Sequence, residues 1–153
     1  MPRDRTIDQI DRRMLDELAT DGRVTVTELA RRVGLSKSPC QARMRRLEEA
    51  GIIRGYRAML DAVSLGAAHI AFVQVKLDDT TAPALAAFNQ AARAVPQIEE
   101  CHMIAGSFDY LLKVRTRDIS AYRAILGQTL SALPHVAQTS TFVVMEAVKD
   151  RGP

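Results

Sequence analysis

The feature that constrains the fold most is a pair of predicted short helices, joined by a tight turn at a glycine, in the N-terminal third of the chain. Thr25 and Glu28 form a capping-box pattern, and apolar residues follow them at helical spacing until Gly34. Gly34 suits the left-handed position that ends a helix, and Ser36 suits the N-cap of the next helix, whose first turn tolerates Pro39. Two helices joined by a tight turn that contains glycine predict a helix-turn-helix.

A further helix is predicted before this pair. Its apolar residues recur at spacings of three and four, which is typical of one face of a helix: Ile7, Ile10, Met14 and Leu18. Thr6 followed by Gln9 resembles a capping box, so we expect Thr6 to be the N-cap and the helix to end near Asp21-Gly22. The first sixty residues are therefore expected to contain three helices.

Positive charge is concentrated in the same part of the chain. Of the 153 residues, positions 1–60 hold 13 Lys or Arg against 9 Asp or Glu, whereas positions 61–153 hold 8 against 9. Between positions 31 and 57, eight basic residues face only two acidic ones, a local charge of +6. Such an excess suits a polyanion, although a solvated helical surface would also explain it.

The third helix presents distinct apolar and polar sides. At 100° per residue, Cys40, Met44 and Leu47 share one narrow face, on which Cys40 is expected to be a small buried hydrophobic residue. The opposite side and its shoulders carry side chains that can read base edges in a major groove, and the helix start can hold a phosphate. We predict DNA contacts from Ser36, Lys37, Ser38, Gln41, Ala42, Arg45 and Arg46.

The rest of the chain predicts a second domain. We expect a short strand over Ile53 to Leu60, and a boundary that leaves a DNA-binding domain at 1–60 and a second domain at 61–153. The second domain alternates strand and helix patterns in the order β-α-β-β-α-β, which is that of a ferredoxin-like fold. Its predicted elements are a strand at His69–Leu77, a helix around Leu85–Val95, strands at Ile98–Ala105 and Tyr110–Thr116, a helix around Ile119–Leu133 and a strand at Val136–Val148. The fold class is therefore α+β, with a winged-helix-like helix-turn-helix joined to a ferredoxin-like domain.

The last strand of that sheet carries apolar residues on both faces. Thr141, Val143 and Met145 alternate with Phe142, Val144 and Val148. Two helices cover only one face of such a sheet, so a second copy of the chain is an economical cover for the other. The alternative is that these residues belong to an ordinary buried strand.

Little in the sequence favours catalysis, metal binding or membrane insertion. Cys40 and Cys101 lie sixty-one positions apart without close-spaced partners, which excludes a disulfide framework or a four-ligand zinc site and fits a reducing cytoplasm. Cys101 and His102 are adjacent on a predicted strand, so their side chains point to opposite faces. We expect no enzyme activity, no cofactor, no metal, no secretion signal and no membrane segment.

Several motifs resemble one regulator family across almost the whole chain. They are Ser36-Lys37-Ser38-Pro39-Cys40, Arg43, Arg46-Leu47-Glu48, Gly51-Ile52-Ile53 and Gly55-Tyr56, which look like the recognition helix and exit strand of the Lrp/AsnC, or feast/famine, family. The resemblance implies a cytoplasmic transcriptional regulator of amino-acid metabolism that binds double-stranded DNA. It also implies sheet-to-sheet homodimers that assemble into tetramers or octamers.

The same resemblance implies an amino-acid effector site. The run Gly106 to Leu112 is similar to the ligand loop of the family, and Thr139 and Thr141 match a Thr-x-Thr on the last strand. The resemblance also implies that the effector binds between subunits and alters assembly or DNA binding. The implied effector-binding residues are Gly106, Ser107, Phe108, Asp109, Thr139 and Thr141. Ser107 stands where many relatives carry an acidic residue, and without the family Gly106 to Asp109 would be a plain hairpin turn.

The effector and the class of function stay open at this stage. The segments Glu100-Cys101-His102 and Val143-Val144-Met145-Glu146 are similar to leucine-responsive members, so leucine or another apolar amino acid is the first hypothesis. One alternative is an architectural DNA-packaging protein without an effector. Another is a small-molecule-binding or enzymatic domain in which the basic segment is incidental.

Overall fold

The computed structural model describes residues 7–149, and its contacts divide the chain between Ala58 and Met59 into two units. The N-terminal unit contains three helices: α1 (Gln9–Thr20), α2 (Val26–Val33) and α3 (Lys37–Glu49). The C-terminal unit contains β1 (His69–Leu77), α4 (Ala82–Arg93), β2 (Ile98–Met103), β3 (Tyr110–Thr116), α5 (Ile119–Gln128) and β4 (Val136–Val143). This order confirms the α+β class and the β-α-β-β-α-β arrangement.

Local capping chemistry sets the ends of the N-terminal helices. The Thr25 hydroxyl accepts a hydrogen bond from the Glu28 N–H at 3.2 Å, and α2 ends on Gly34 in the left-handed conformation with φ 75°. The N-cap of α1 is Asp8, which forms a reciprocal capping box with Asp11. The predicted N-cap, Thr6, was therefore wrong, and Thr6 itself lies outside the described residues.

The core of the N-terminal unit is small and depends on all three helices. Met14, Leu29 and Cys40 are fully buried, and Leu18, Ala30 and Val33 complete the cluster. The predicted strand over Ile53 to Leu60 was wrong, because residues 54–60 are exposed and irregular and pair with no strand among residues 7–149. An extended segment becomes a strand only when a neighbour pairs with its backbone groups, and alternation alone cannot supply that neighbour.

The C-terminal unit is a four-stranded antiparallel sheet with the order β2-β3-β1-β4. One face packs against the helix layer through buried residues that include Val73, Leu112, Phe88 and Tyr110, and the last two rings lie 4.3 Å apart. Three predicted elements are shorter than expected. The second strand ends at Met103, the last strand ends at Val143, and α5 stops at Gln128 before a separate 3-10 turn at Leu130–Ala132.

The opposite face of the sheet, here called the open face, has a mixed character. Its side chains follow from the strand register and include Phe72, Gln74, Lys76, Leu111, Gln138, Ser140 and Phe142, together with Glu100, His102 and Lys113 towards the β2 edge. Phe72 and Phe142 are directly opposed on neighbouring strands and stay 36% and 53% exposed. Two adjacent exposed aromatic rings are a feature of surfaces that bind another molecule.

Candidate nucleic-acid interface and ligand loop

One side of α3 is fixed in the core while the other side is exposed. Cys40 and Leu47 are fully buried, and Met44 is partly buried beside them. The exposed residues at the start and on the outer side of the helix, here called the α3 surface, are Ser36, Lys37, Ser38, Gln41, Ala42 and Arg45. Six of the seven residues predicted to contact DNA therefore lie together on the outside of one helix.

Ion pairs divide the basic residues into two groups. Glu28 accepts hydrogen bonds from Arg31 and Arg32, and these bonds lower the pKa of Glu28 to about 2. Arg32 also pairs with Glu17 at 2.8 Å. By contrast, Lys37, Arg45, Arg54 and Arg57 form no ion pair with any of residues 7–149, so their charges are available to an external anion.

The seventh predicted DNA contact, Arg46, is placed differently. Its guanidinium donates to Asp11 at 2.5 Å, and Arg43 donates to Asp11 at 2.9 Å and to Asp8 at 2.5 Å. Asp11 is fully buried, and it also accepts from the Asp8 N–H at 3.0 Å. Burial opposes ionisation of Asp11, but the hydrogen bonds from Arg46, Asp8 and Arg43 outweigh it, so the pKa of this carboxyl is below its usual value. The cluster of Asp8, Asp11, Arg43 and Arg46 is here called the Asp11 cluster.

Sequence reasoning missed Asp11, although a signal was present. Asp11 lies four residues after Ile7 and three before Met14, which places it on the apolar stripe of α1. A carboxylate on a buried stripe needs a cationic partner, because an unpaired buried charge is very costly. Two arginines spaced three residues apart on α3 supply that partner.

The predicted ligand loop, Gly106 to Leu112, begins in the connection between β2 and β3 and continues into β3. Asp109, the last residue of the connection, fixes its position. The Asp109 carboxylate accepts from the Leu77 N–H at 2.8 Å and from Lys76 Nζ at 3.3 Å. The Leu77 hydrogen bond is the main cause that lowers the pKa of Asp109, and Lys76 adds to it. Asp109 thus anchors the loop to β1, and its oxygens are already engaged by two donors.

A cavity of about 180 Å³ lies where this loop meets the open face. It is lined by Gln74, Lys76, Ser107, Phe108, Gln138 and Ser140. The structure does not bring Thr139 and Thr141 to this cavity. Thr139 pairs with the inward-facing Val75, and Thr141 bonds the Tyr122 hydroxyl at 2.5 Å on the helix side. The residues of β4 at the cavity are their neighbours, Gln138 and Ser140.

The described residues offer little for other chemistry. Residues 7–149 contain no group of three or more potential metal ligands, and no helix among them is long and apolar enough to cross a bilayer. Cys40 is buried and Cys101 is exposed, and desolvation raises the pKa of both thiols. A raised pKa lowers the fraction of reactive thiolate at neutral pH.

Each of the two units matches a known protein family. Residues 7–54 match the family described as winged helix-turn-helix DNA-binding, and residues 70–153 match the Lrp/AsnC ligand binding domain. The chain is 59% identical over 145 residues to a proline dehydrogenase transcriptional activator of Rhodobacter capsulatus, covering 95% of this chain and 94% of that protein. It is 49% identical over 143 residues to the leucine-responsive regulatory protein of Escherichia coli, covering 94% and 87%.

A solved structure gives the same result. The crystal structure of a transcriptional regulator from Neisseria meningitidis in complex with L-methionine matches with a TM-score of 0.89 at 33% identity, covering 95% of this chain and 94% of that one. The two domain types seen in the structure are the two that the family models match, and the relatives match nearly the whole length of the chain. The chain belongs to the Lrp/AsnC family of DNA-binding transcriptional regulators.

Proposed function

We propose that this regulator recognises specific DNA sequences through α3 and controls a gene of amino-acid metabolism. The observation that carries the proposal is the two-sided character of α3, in which Cys40 and Leu47 are fully buried while the α3 surface is exposed. A helix fixed in this way can enter a major groove with its polar side towards the bases. The first relative compared, an activator of proline dehydrogenase, supports a catabolic gene as the target.

Each residue type on the α3 surface suits a different contact. Arg45 can donate two hydrogen bonds to guanine, Gln41 can pair with adenine, and Ala42 can contact a thymine methyl group. Ser36, Lys37 and Ser38 lie at the helix start, where N–H groups and short polar side chains can hold a phosphate. Arg46 is paired with Asp11, which favours a structural role for Arg46 at the edge of the interface over direct base reading.

The direct test is selection of DNA sequences by the full chain from a random duplex library. We expect one pseudo-palindromic consensus to be enriched, and a scrambled duplex of the same composition to bind far more weakly. Equal binding of the selected and scrambled duplexes would instead support an architectural protein that packages DNA without reading sequence.

We further propose that the effector is a small amino acid with an apolar side chain. The cavity beside Ser107 and Phe108 is smaller than pockets that enclose drug-sized ligands, which span about 300–1,000 Å³. Lys76, Gln74 and Gln138 supply a cation and amides for a carboxylate and an ammonium group. Relatives named for leucine and solved with L-methionine support this class of ligand.

Calorimetric titration with leucine, methionine, proline and aspartate tests the effector. We expect at least one of the three apolar amino acids to release or absorb heat, and aspartate to give none. Ser107→Trp should block binding because the indole fills the cavity, whereas Ser131→Trp, at an exposed position of the 3-10 turn, should leave binding intact. Binding that survives Ser107→Trp would exclude this cavity as the site.

Assembly and location complete the proposal. We propose that the open face packs on a second copy of the chain, because the Phe72 and Phe142 pair lies exposed on it, and that dimers associate into tetramers or octamers. A two-fold dimer matches a pseudo-palindromic site. The protein is proposed to act in the cytoplasm without enzymatic activity or a cofactor, since its relatives are regulators.

A further inference from the structure

Two arginines of α3 are held by carboxylates from the start of α1. Arg43 and Arg46 are three residues apart, so both project from the same side of α3, beside the buried stripe. Arg46 contacts Asp11, and Arg43 contacts both Asp11 and Asp8. The Asp11 cluster contains two positive and two negative groups, so it carries no net charge.

The two sides of the cluster differ in their exposure. The Asp11 side chain is fully buried, whereas the side chains of Arg43 and Arg46 are 28% and 33% exposed. Without the Asp11 charge, each arginine loses one carboxylate partner, although Asp8 still holds Arg43. Their charged ends are then freer to turn towards an anion, because long side chains keep those ends in water. Asp11 is therefore the member of the cluster that contacts both guanidinium groups, while Asp8 contacts only Arg43.

We propose that Asp11 is a specificity-determining residue of the DNA interface, acting through Arg43 and Arg46. It keeps two arginines of the recognition helix away from the phosphate backbone, and it fixes the rotation of α3 about its own axis. This proposal rests on α3 being the helix that reads DNA.

The physical reason is the difference between phosphate and base contacts. A phosphate contact strengthens binding to every sequence, and it makes affinity depend on salt through counterion release. Arginines that are free to reach phosphates raise the affinity for all DNA and so reduce discrimination. Two anchoring points one helical turn apart also determine which side chains of α3 face the base edges, so their loss affects the specific contacts.

The test compares Asp11→Asn with Asp16→Asn in the full chain. Asparagine keeps the size of Asp11 and an oxygen that can accept the Asp8 N–H, but it removes the one charge that pairs with both arginines. Asp16→Asn makes the same change of net charge at an exposed position of the same helix, where the side chain holds neither arginine. Affinity is measured at several salt concentrations for the duplex selected by the wild-type protein and for its scrambled counterpart.

For Asp11→Asn we expect the specific-to-scrambled affinity ratio to fall by about tenfold, the effect of one misplaced base contact. We also expect the plot of log K against log salt concentration to become steeper, by about 0.9 for each arginine that gains a phosphate. Asp16→Asn should match the wild type in both measurements. An unchanged ratio and slope for Asp11→Asn would overturn the proposal, as would an equal loss of affinity for both duplexes without a change of slope.

The triple variant Asp11→Asn, Arg43→Gln, Arg46→Gln separates this role from folding. It removes the buried Asp11 charge together with both arginines that pair with it, so the buried site keeps no unpaired charge. Asp8 keeps its charge, but its side chain is 47% exposed. We expect this variant to return the slope of log K against log salt concentration to the wild-type value. A slope shallower than that of the wild type would show that the arginines contact phosphates in the native protein, and it would overturn the proposal. If the wild-type protein itself shows no sequence preference, the proposed function fails first.

Discussion

The substitution Phe142→Thr tests the proposed dimer through the aromatic pair on the open face. Phe142 is 53% exposed, and a phenylalanine side chain buries about 150–250 Å² when fully covered, so about 100 Å² is available for a partner in each subunit. A two-fold interface doubles this to about 200 Å², which at about 25 cal/mol per Å² corresponds to about 5 kcal/mol. Threonine keeps the preference for a β-strand and part of the contact.

We therefore expect Phe142→Thr to weaken the dimer by about 3–5 kcal/mol, which raises the dissociation constant between about 100-fold and a few thousand-fold. Sedimentation equilibrium across a range of protein concentrations measures this constant. The control is Ile119→Thr, because Ile119 is 54% exposed but lies at the start of α5, in the helix layer. The reasoning is refuted if Phe142→Thr leaves the dissociation constant unchanged, or if Ile119→Thr raises it equally.

Two further predictions concern the N-terminal unit. Gly34→Ala should destabilise this unit by about 1–2 kcal/mol, because Gly34 has φ 75° and alanine is strained in the left-handed conformation. Nothing lies within 4 Å of an added Cβ, so no steric clash adds to this cost. Chemical denaturation measures the change in stability, and an unchanged midpoint would contradict the prediction. Asp8 and Asp11 have lowered pKa values in the folded state, so the stability they supply is present above their ordinary value of 3.8 and is lost as the pH falls through the folded values. Denaturation at pH 5 and at pH 3 should show this loss, and Asp11→Asn should reduce it; an identical pH dependence in the two proteins would show that the Asp11 cluster does not contribute.

The helix-turn-helix was predictable because its signals are local. The Thr25 cap, the Gly34 turn and the stripe of Cys40, Met44 and Leu47 each depend on residues a few positions apart, and the structure confirms all three. The error at the start of α1 arose because Asp8 and Asp11 form the same capping pattern as a Thr-x-x-Gln pair two residues earlier. Competing caps differ by too little free energy for the pattern to decide between them.

Features that depend on distant residues were harder to predict. The alternation of Thr141 and Val143 with Phe142 was confirmed, whereas Val144, Met145 and Val148 lie beyond the end of β4. Only the register with β1 shows that Thr139 and Thr141 point to the helix layer while Ser140 faces the cavity. The Asp11 cluster joins residues more than thirty positions apart, so no local pattern contains it. The burial of Asp11 was readable from its place on the apolar stripe, but its two partners were not.

The most direct measurement is the effect of Arg45→Ala on binding to the selected duplex and to a set of duplexes that each carry one changed base pair. Arg45 is exposed on the α3 surface and forms no ion pair with any described residue, so its loss should not disturb the fold. We expect Arg45→Ala to weaken binding to the selected duplex by about 1–3 kcal/mol. At the one or two base pairs that Arg45 reads, changing the base pair should weaken the wild-type protein but not weaken the variant any further. Arg123→Ala, at an exposed position of α5, is the control and should bind like the wild type. A uniform loss on every duplex, or none at all, would contradict base reading by this helix.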